Sequence, residues 1–522
     1  MSNDGEQRQV KQVSPSPADT RRSLVLPAAH APSVTSGTLQ AADTLDVVLA
    51  IVTLPLATGA LGALPHSTRW QALHARATAR TGTVRSGSLG NPRDTLIVLG
   101  YIKSEASAFE RLSLAGRMLK EAAARQPQAI GLCATGKGAS ADADLEALVA
   151  ASLVHAFELP AIRAPARDQR RLQKVVLLGK HTLDTRFATA VARGTNLTRW
   201  LTALPPNMLD AKGYRAAITR LARQHRLKLT WLDERALKRA GAGAFLAVAQ
   251  GNTRADAGIA HLQYRPPRRA RGGRPDVALV GKGILFDTGG VNLKPHRSML
   301  DMHTDMSGSA VALATLVALA ELRAPLAADA WLAISENNIG PGAYRPQEVV
   351  RAANGVTIQV IHTDAEGRMV LADTLALAAR TRPRLMIDFA TLTGACVYSL
   401  TERMSGAFSN RAALAQALYE AGRSSGERVW NFPSEEDYDA DLESKVADVI
   451  QCTVDGKGDH ILATRFLSRF VPQEIPWAHI DLSSSTRSGG LAHVATEVTG
   501  FGVRFALQLL LKQNVLKGLD AK

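Results

Sequence analysis

The segment HTDAEGRMVLADTL, residues 362–375, places Asp364, Glu366 and Arg368 at alternate positions. The residues before it, VTIQVI, are apolar and β-branched, and those after it recur at helical spacing, so the pattern predicts a turn between a strand and a helix. Alternate residues of an extended chain share one face, which would point these side chains together and suits metal ligation. A helix start also favours acidic side chains through its dipole, so this turn alone leaves both interpretations open.

A second group of charged residues precedes this turn. The segment VGKGILFDTGGVNLKP contains Lys282, Asp287 and Lys294, and Asp305 follows in HTDMSGSAVALATL, directly before a predicted helix. Each has an ordinary structural alternative: Asp287 could make a turn, Asp305 could cap a helix and either lysine could be solvated. As a group, however, they lie at predicted strand ends and turns, where α/β folds build their sites.

The charge of this group favours two divalent metal ions over one. Asp287, Asp305, Asp364 and Glu366 supply four negative charges, which two divalent ions would balance, whereas one ion would leave an excess. Two ions placed close together can share a water molecule, lower its pKa and hold both the nucleophile and the electrophile of a hydrolysis. The residues therefore predict a two-metal site.

The elements that must position these residues follow an α/β pattern. Residues 43–180 alternate strand-like runs such as DTLIVLGY and KVVLLGK with helical stretches, which predicts a smaller N-terminal α/β domain. Residues 181–522 form a larger catalytic α/β domain, predicted to have a mixed central sheet flanked by helices. Its first part, 181–206, is a connecting helix that stops at a Pro-Pro pair. Residues 1–42 begin with many charged, Pro and Ser residues and are predicted to be a disordered tail.

Composition predicts a cytoplasmic protein without a membrane partner. The 522 residues include three cysteines far apart in the chain and no CxxC pair, which argues for a reducing compartment without disulfides or a thiolate zinc site. The N-terminal residues lack the apolar segment of a secretory signal. Residues 47–64 are uncharged but interrupted by proline and glycine, so we interpret them as a buried strand near 45–53 followed by a loop.

Positive charge is concentrated in the first part of the chain. Residues 1–300 contain 42 Lys and Arg against 21 Asp and Glu, whereas residues 301–522 contain 20 against 26. The arginine-rich run YRPPRRARGGRP at 264–275 could bind phosphates without reading sequence, so DNA binding is an alternative or additional function. It is not favoured, because nucleic-acid-binding signatures are missing, aromatic residues for base stacking are few, and a basic solvated surface is the commoner explanation.

Several motifs in a fixed order resemble the leucyl aminopeptidases, the cytosol aminopeptidase family. They are GKGILFDTGG, the downstream Lys294, DMSG around Asp305, HTDAEGR, DFATLTGA, ALPPN, ENNIGPGAYRP and ATEVTGFGVR. The resemblance covers most of residues 180–510 and is weak before residue 180. It implies an enzyme that hydrolyses the N-terminal bond of peptides with a free amine, and it disfavours another two-metal hydrolase such as a phosphoesterase.

The resemblance also implies the metal ligands. Asp287, Asp364 and Glu366 would hold one ion and Lys282, Asp287, Asp305 and Glu366 the other, with zinc or manganese as the metal. Lys282 is an unusual ligand, because neutralising a lysine at neutral pH costs about 4 to 5 kcal/mol, which direct coordination to a dication can offset. A solvated Lys282 would contradict this assignment.

The same resemblance implies the groups around the metals. A bridging hydroxide would attack the scissile carbonyl, Lys294 would support that carbonyl, and the α-amine would bind near Asp305. Arg368 would hold a bicarbonate ion that acts as a general base. The pocket for the first side chain, which favours an apolar residue such as leucine, would be lined by Met302, Thr391 and Gly394.

The resemblance implies a homohexamer with the catalytic domains at its centre. The chain departs from the family pattern at His362, where Asn is usual, and at Gln347-Glu348 after AYRP. Two roles stay open for His362. It could be a protonated partner of an anion or, as we favour, hydrogen-bond the backbone as Asn would.

Overall fold

The computed structural model describes residues 31–519 apart from Ala77 and the segments 162–169 and 268–272. Two large sheets flanked by helices organise these residues, one before and one after residue 180, and a small three-stranded sheet also follows residue 180. The α/β class predicted from the sequence is thereby confirmed. Among the described residues, no helix is both long and apolar enough to span a membrane.

The first unit surrounds a six-stranded sheet. Its strands are β1 (Ser33–Gly37), β2 (Val47–Leu54), β3 (Val84–Ser88), β4 (Leu96–Lys103), β5 (Ala129–Ala134) and β6 (Lys174–Leu178). Its helices are α1 (Ser67–Ala75), α2 (Ala108–Ala123) and α3 (Ala139–His155), with 3-10 turns at Leu39–Thr44 and Ala60–Ala63. The strand order is β1-β6-β5-β2-β4-β3, and only β3 runs antiparallel to its neighbour. β2 is buried from Val47 to Val52, as its apolar run predicts.

The prediction of a disordered tail over residues 1–42 is wrong at its C-terminal end. β1 pairs in parallel with β6, from Ser33 opposite Lys174 to Gly37 opposite Leu178. The strand was missed because it is a short Ser/Thr-rich edge strand whose side chains are mostly exposed, so its stability comes from backbone pairing and not from an apolar pattern. Residues 1–30 lie outside the described residues.

The second unit contains the longer sheet. Its strands are β7 (Lys228–Asp233), β8 (Gly258–Tyr264), β9 (Val277–Asp287), β10 (Ala328–Asn337), β11 (Val349–Arg351), β12 (Thr357–Gln359), β13 (Leu385–Ala390), β14 (Ser405–Ser409), β15 (Val429–Asn431), β16 (Val449–Ile450) and β17 (Trp477–Asp481). Eight of them form one sheet in the order β15-β14-β17-β13-β9-β10-β8-β7. The sheet is mixed, because β13 and β10 flank β9 in parallel while β8, β7 and β14 pair antiparallel. β11, β12 and β16 form a separate small sheet.

Helices cover both faces of this sheet. They are α4 (Thr185–Thr202), α5 (Ala211–Gln224), α6 (Glu234–Ala240), α7 (Gly243–Ala249), α8 (His296–Met299), α9 (Ser307–Glu321), α10 (Glu366–Ala379), α11 (Gly394–Leu400), α12 (Ala412–Ser425), α13 (Asp459–Ser468), α14 (Val503–Leu507) and α15 (Val515–Leu519). Short 3-10 turns lie at Met302–Thr304, Thr401–Arg403 and Glu436–Leu442, and a π-helical turn at Gln508–Lys512. α9 and α10 are buried along almost their whole lengths. This explains why α9 is apolar nearly all round, whereas α10 also buries the charged side chains of Glu366, Arg368 and Asp373.

Candidate metal centre

The charged residues of the sequence motifs meet where the central strands end. β9 carries Lys282 near its middle and Asp287 at its last position, and Asp287 pairs with Asn337 at the end of the neighbouring β10. Thr391 follows the last residue of β13, the other neighbour of β9. The site therefore lies at the carboxyl ends of parallel strands, as in other α/β folds.

Glycines let a helix approach the central strand closely enough to complete the site. A Cβ atom at Gly281 would lie 2.5 Å from Ser309 Cα, and one at Gly308 would lie 2.0 Å from the Phe389 carbonyl oxygen. Neither position tolerates a side chain, so the start of α9 can rest directly on β9 and β13. This contact places Asp305, two residues before α9, beside Lys282.

Lys282 is buried among carboxylates. Its side chain is 4% exposed, and its Nζ lies 2.8 Å from Asp305 Oδ2 and 2.9 Å from Glu366 Oε1. It also donates to the Thr391 carbonyl oxygen at 2.9 Å. The solvated position that would have contradicted a ligand role is not observed.

Lys294 lies across the same cluster. Its Nζ is 2.9 Å from Asp287 Oδ2 and 2.5 Å from Asp364 Oδ1. The loop that returns it to the site turns at Gly289, whose φ of +88° favours glycine, and closes with a hydrogen bond from the Lys294 amide to the Thr288 carbonyl. The two lysines thus contact the four carboxylates in two pairs.

Three carboxylates converge closely enough to share an ion. Ligand oxygens of Asp287, Asp364 and Glu366 all lie within 4.8 Å of one another. Asp305 Oδ2, Asp364 Oδ1 and Glu366 Oε1 are buried without a well-aligned hydrogen bond, so the ammonium groups are their main partners. Four carboxylates facing two lysines leave negative charge uncompensated, which favours the binding of divalent cations.

Burial and mutual repulsion perturb these groups. The pKa values of Asp305, Asp364 and Glu366 are raised, first by burial and then by neighbouring carboxylates, although the lysines partly offset this. Burial lowers the pKa of Lys282, but the charges of Asp305 and Glu366 raise it more, so the net shift is upward. This arrangement is typical of a ligand cluster in which a metal ion replaces protons.

Asn337 was missed as a site residue although it lies within the quoted motif ENNIGPG. Its side chain is fully buried, and Nδ2 donates to Asp287 Oδ1 at 2.7 Å and to the Thr363 carbonyl oxygen at 3.1 Å. Asp287 Oδ1 also accepts from the Gly289 amide at 2.8 Å. These bonds orient the Asp287 carboxylate, a role that metal ligands commonly need from neighbours. The motif itself contains Asn337, but its side chain is uncharged, so a search for charged residues alone does not single it out.

Gly367 makes room for Lys282. A Cβ atom there would lie 2.6 Å from Lys282 Cε and 2.7 Å from its Nζ. Gly367 belongs to the first turn of α10, between Glu366 and Arg368, so this turn of the helix packs directly against the Lys282 side chain. The glycine of the DAEGR motif is therefore a spatial requirement of the site.

Arg368 does not present a free guanidinium group. Its side chain is 2% exposed, and Nη2 lies 2.8 Å from both carboxylate oxygens of Asp459. Nη1 donates to the Gln451 carbonyl oxygen at 3.2 Å. The bicarbonate position expected at this arginine is thus occupied by a carboxylate of the chain itself, which the sequence motif gave no reason to expect.

The three residues expected to line the side-chain pocket lie on segments that flank the cluster. Thr391 contacts it directly, because its Oγ1 donates to Asp305 Oδ1 at 2.7 Å. Met302 begins the 3-10 turn that precedes Asp305, and Gly394 is the exposed first residue of α11. A substrate-binding role for these residues remains a prediction.

His362 has the backbone contact that we favoured. Its Nδ1 accepts a hydrogen bond from the Asp364 amide at 3.2 Å. Burial and the charges of Lys294 and Arg368 hold its pKa below the ordinary value, so the ring is neutral at neutral pH. A protonated anion partner is therefore disfavoured.

Comparisons with known proteins agree with this fold and identify the family. The catalytic-domain pattern of the cytosol aminopeptidase family matches residues 196–507. A probable cytosol aminopeptidase of Parasynechococcus marenigrum is 36% identical over 427 residues, which is 80% of this chain and 86% of the relative. A tomato leucine aminopeptidase variant superposes with a TM-score of 0.80 at 27% identity, covering 93% of this chain and 98% of that one. The bottromycin maturation enzyme BotP in complex with Mn superposes with a TM-score of 0.78 at 30% identity. The match covers 90% of this chain and 99% of BotP.

The fold and the carboxylate-lysine cluster define a metallohydrolase of the aminopeptidase class. Since the family pattern covers more than half of the sequence, the chain belongs to the cytosol aminopeptidase family. It is accordingly a leucyl aminopeptidase-type hydrolase, as the sequence motifs predicted.

Proposed function

We propose that this chain is a two-metal aminopeptidase that releases leucine and other N-terminal amino acids from peptides. One observation carries the proposal: a buried ammonium group lies inside a buried carboxylate cluster, with Lys282 Nζ 2.8 Å from Asp305 and 2.9 Å from Glu366. An all-oxygen magnesium or calcium site would need no amine there. A nitrogen ligand among carboxylates suits zinc or manganese, and the Mn complex of BotP supports the latter.

The residues present fit two divalent ions. Asp287, Asp364 and Glu366 would hold one ion, and Lys282 and Asp305 would join Asp287 and Glu366 around the other, since these groups already contact one another through the lysines. When bound, such ions supply a water molecule of lowered pKa and polarise the scissile carbonyl.

The chain's own residues orient the substrate. The α-amine of a peptide binds at Asp305, whose carboxylate is fixed by the Thr391 hydroxyl. Lys294 donates from Nζ to the scissile carbonyl oxygen as negative charge develops there. A free α-amine next to the scissile bond exists only at a peptide N-terminus, so the proposed enzyme is an exopeptidase.

Location and assembly belong to the same proposal. Relatives carrying the name cytosol aminopeptidase support a cytoplasmic location, and the family resemblance supports a homohexamer. DNA binding through the arginine-rich run at 264–275 remains a prediction that we do not favour, because nucleic-acid-binding signatures are missing and aromatic residues for base stacking are few. Residues 268–272 of that run lie outside the described residues. A retardation assay at about 150 mM salt tests it, since charge attraction alone fades steeply with salt.

The direct test is hydrolysis by metal-loaded enzyme. We expect protein loaded with manganese or zinc to cleave leucine amide and Leu-Gly, and chelator-treated protein to lose that activity until metal is returned. p-Nitrophenyl phosphate serves as the comparison, because a two-metal phosphoesterase would cleave it instead. Loaded protein that cleaves neither leucine substrate would overturn the proposal.

A further inference from the structure

The anion site at Arg368 is already filled by the protein. Arg368 is the third residue of α10 and is buried, so its guanidinium group has few possible partners. Nη2 is 2.8 Å from both oxygens of Asp459, and Nη1 donates to the Gln451 carbonyl oxygen at 3.2 Å. Among these groups only the buried Nε has no partner.

Asp459 is fixed where it meets this guanidinium group. It is the first residue of α13, and the preceding Gly458 turns the chain with a φ of +60°. The Asp459 side chain is 23% exposed, so it lies between the buried arginine and solvent. The carboxylate is thus held by a charge-assisted contact at one side and remains reachable from the other.

A bicarbonate ion does not fit beside this pair. Binding through Nη2 would require it to displace Asp459 or to lie against the carboxylate, where two negative groups repel each other in a poorly solvated site. A single buried Nε does not offer the paired donors with which arginine binds planar oxyanions. The bicarbonate implied by the family resemblance therefore disagrees with the residues of this chain.

We propose that the Asp459 carboxylate is the resident anion at Arg368 and serves as the proton acceptor of the reaction, which makes this enzyme independent of bicarbonate. The proposal rests on the proposed aminopeptidase function. Water adds to the scissile carbonyl carbon and gives its proton to Asp459. The C–N bond then breaks, and the proton passes to the leaving amine. No further reactant is needed, because the carboxylate is regenerated in each cycle.

Contacts place Asp459 beside the turn that carries a proposed metal ligand. Arg368 follows Glu366 by two residues in the first turn of α10, and Asp459 binds its guanidinium group at 2.8 Å. Gln451, whose carbonyl oxygen accepts from Arg368, also donates from its side chain to the Ala365 carbonyl oxygen at 3.0 Å. Asp459 therefore lies next to the start of α10, where Glu366 enters the ligand cluster.

The experiment measures bicarbonate dependence in the metal-loaded enzyme and in Asp459→Ala. In carbon dioxide-free buffer, we expect the wild type to keep its full kcat on leucine amide and to gain nothing from added bicarbonate. Asp459→Ala should lose about 10²-fold or more in kcat and regain at least about 10-fold with bicarbonate. Titration calorimetry should detect bicarbonate binding to Asp459→Ala but not to the wild type.

Two further variants separate this role from a structural one. Asp439→Ala removes a comparable aspartate, which binds Arg465 of the same α13 at 2.8 Å through each oxygen, and should show no response to bicarbonate. Asp459→Asn keeps the volume without the charge and should have a low kcat that bicarbonate does not restore. Metal content and thermal unfolding of each variant show whether it is folded and loaded.

Three results would overturn the inference. They are stimulation of the wild type by bicarbonate, full activity of either Asp459 variant without it, and a folded, metal-loaded Asp459→Ala that bicarbonate fails to activate. If both Asp459 variants fail to fold, the wild-type measurement decides alone. A wild type that cleaves no leucine substrate under any condition would instead refute the proposed function, so the two failures are distinguishable.

Discussion

Two lysines in the same cluster have different surroundings and should have different functions. The Lys282 side chain is 4% exposed, contacts Asp305 and Glu366, and packs against the glycine in the first turn of α10. Lys294 reaches the cluster from a turn and contacts Asp287 and Asp364 instead. We propose that Lys282 is a metal ligand, which coordination would neutralise, and that Lys294 is an electrophilic donor, as the family resemblance implies.

Substitution at Glu366 and at Lys294 should separate metal binding from catalysis. Glu366→Ala removes a ligand shared by both proposed ions and should lose most of its metal and all measurable turnover. Lys294→Ala should retain metal but lower kcat by about 10²-fold to 10³-fold, because its partner is the charge that develops during attack.

Metal content by plasma emission and kcat on leucine amide measure these two effects. Glu474→Ala, at an exposed glutamate distant in sequence from the motifs, serves as the control and should match the wild type. Full metal occupancy in Glu366→Ala would show that the ligand assignment is wrong.

His362→Asn should leave the pH-rate profile unchanged. The pKa of His362 is lowered from its ordinary value, so the ring is already neutral above about pH 6.5 and does not change charge in the working range. Asn can keep the side-chain acceptor for the Asp364 amide. Loss of an acid limb from the kcat profile in this variant would instead assign a titrating role to the histidine.

At the scale of elements, the site depends on how closely α9 and α10 approach β9. Gly281 and Gly308 permit the contact of α9 with the sheet, and Gly367 permits the contact of α10 with Lys282 of β9. At each of these glycines a Cβ atom would overlap a neighbouring atom. The helices therefore position Asp305 and Glu366 against Lys282 without any connection between the motifs in sequence.

Gly367→Ala should impair metal binding while the fold survives. The added methyl group meets the flexible end of Lys282 and not the backbone, so the protein can accommodate it by displacing that side chain. Metal affinity and activity should fall together, with little change in the thermal unfolding temperature. Gly518→Ala, whose Cβ atom would meet nothing within 4 Å, is the matched helical control. Unchanged metal affinity in Gly367→Ala would contradict the role of Lys282 as a ligand.

These elements also show what the sequence could and could not predict. The charged residues of the cluster follow from short motifs at strand ends, where fold class and local pattern agree. β1 lacked an apolar pattern, and the Asp459 partner of Arg368 is 91 residues away in sequence, so neither has a local signal. Asn337 lies in the motif ENNIGPGAYRP, but its contact with Asp287 depends on the pairing between β9 and β10, which the motif alone does not indicate.

At the scale of the whole molecule, the exposed apolar surface is concentrated in the catalytic domain. Among the described residues, the large exposed hydrophobic side chains all follow residue 290; they include Val291, Leu293, Leu300, Ile339, Tyr398, Trp430 and Val454. Contiguous exposed apolar patches commonly mark contact surfaces. The homohexamer that we propose from the family resemblance, with catalytic domains at its centre, would cover part of this exposed apolar surface.

Sedimentation equilibrium should therefore give a mass six times that of the 55.6 kDa chain. The mass should not change across a moderate range of salt, because the proposed contacts are apolar. A stable monomer under these conditions would refute the homohexamer while leaving the chemistry of the metal centre intact.

The most direct measurement of the central claim compares one peptide with a free and with an acetylated N-terminus. Metal-loaded enzyme is incubated with Leu-Gly-Gly and with N-acetyl-Leu-Gly-Gly, and the released products are identified by mass spectrometry. We predict that leucine is released from the free peptide alone, because the α-amine must bind at the carboxylate-lysine cluster. Equal cleavage of the acetylated peptide, or cleavage at an internal bond, would contradict the account.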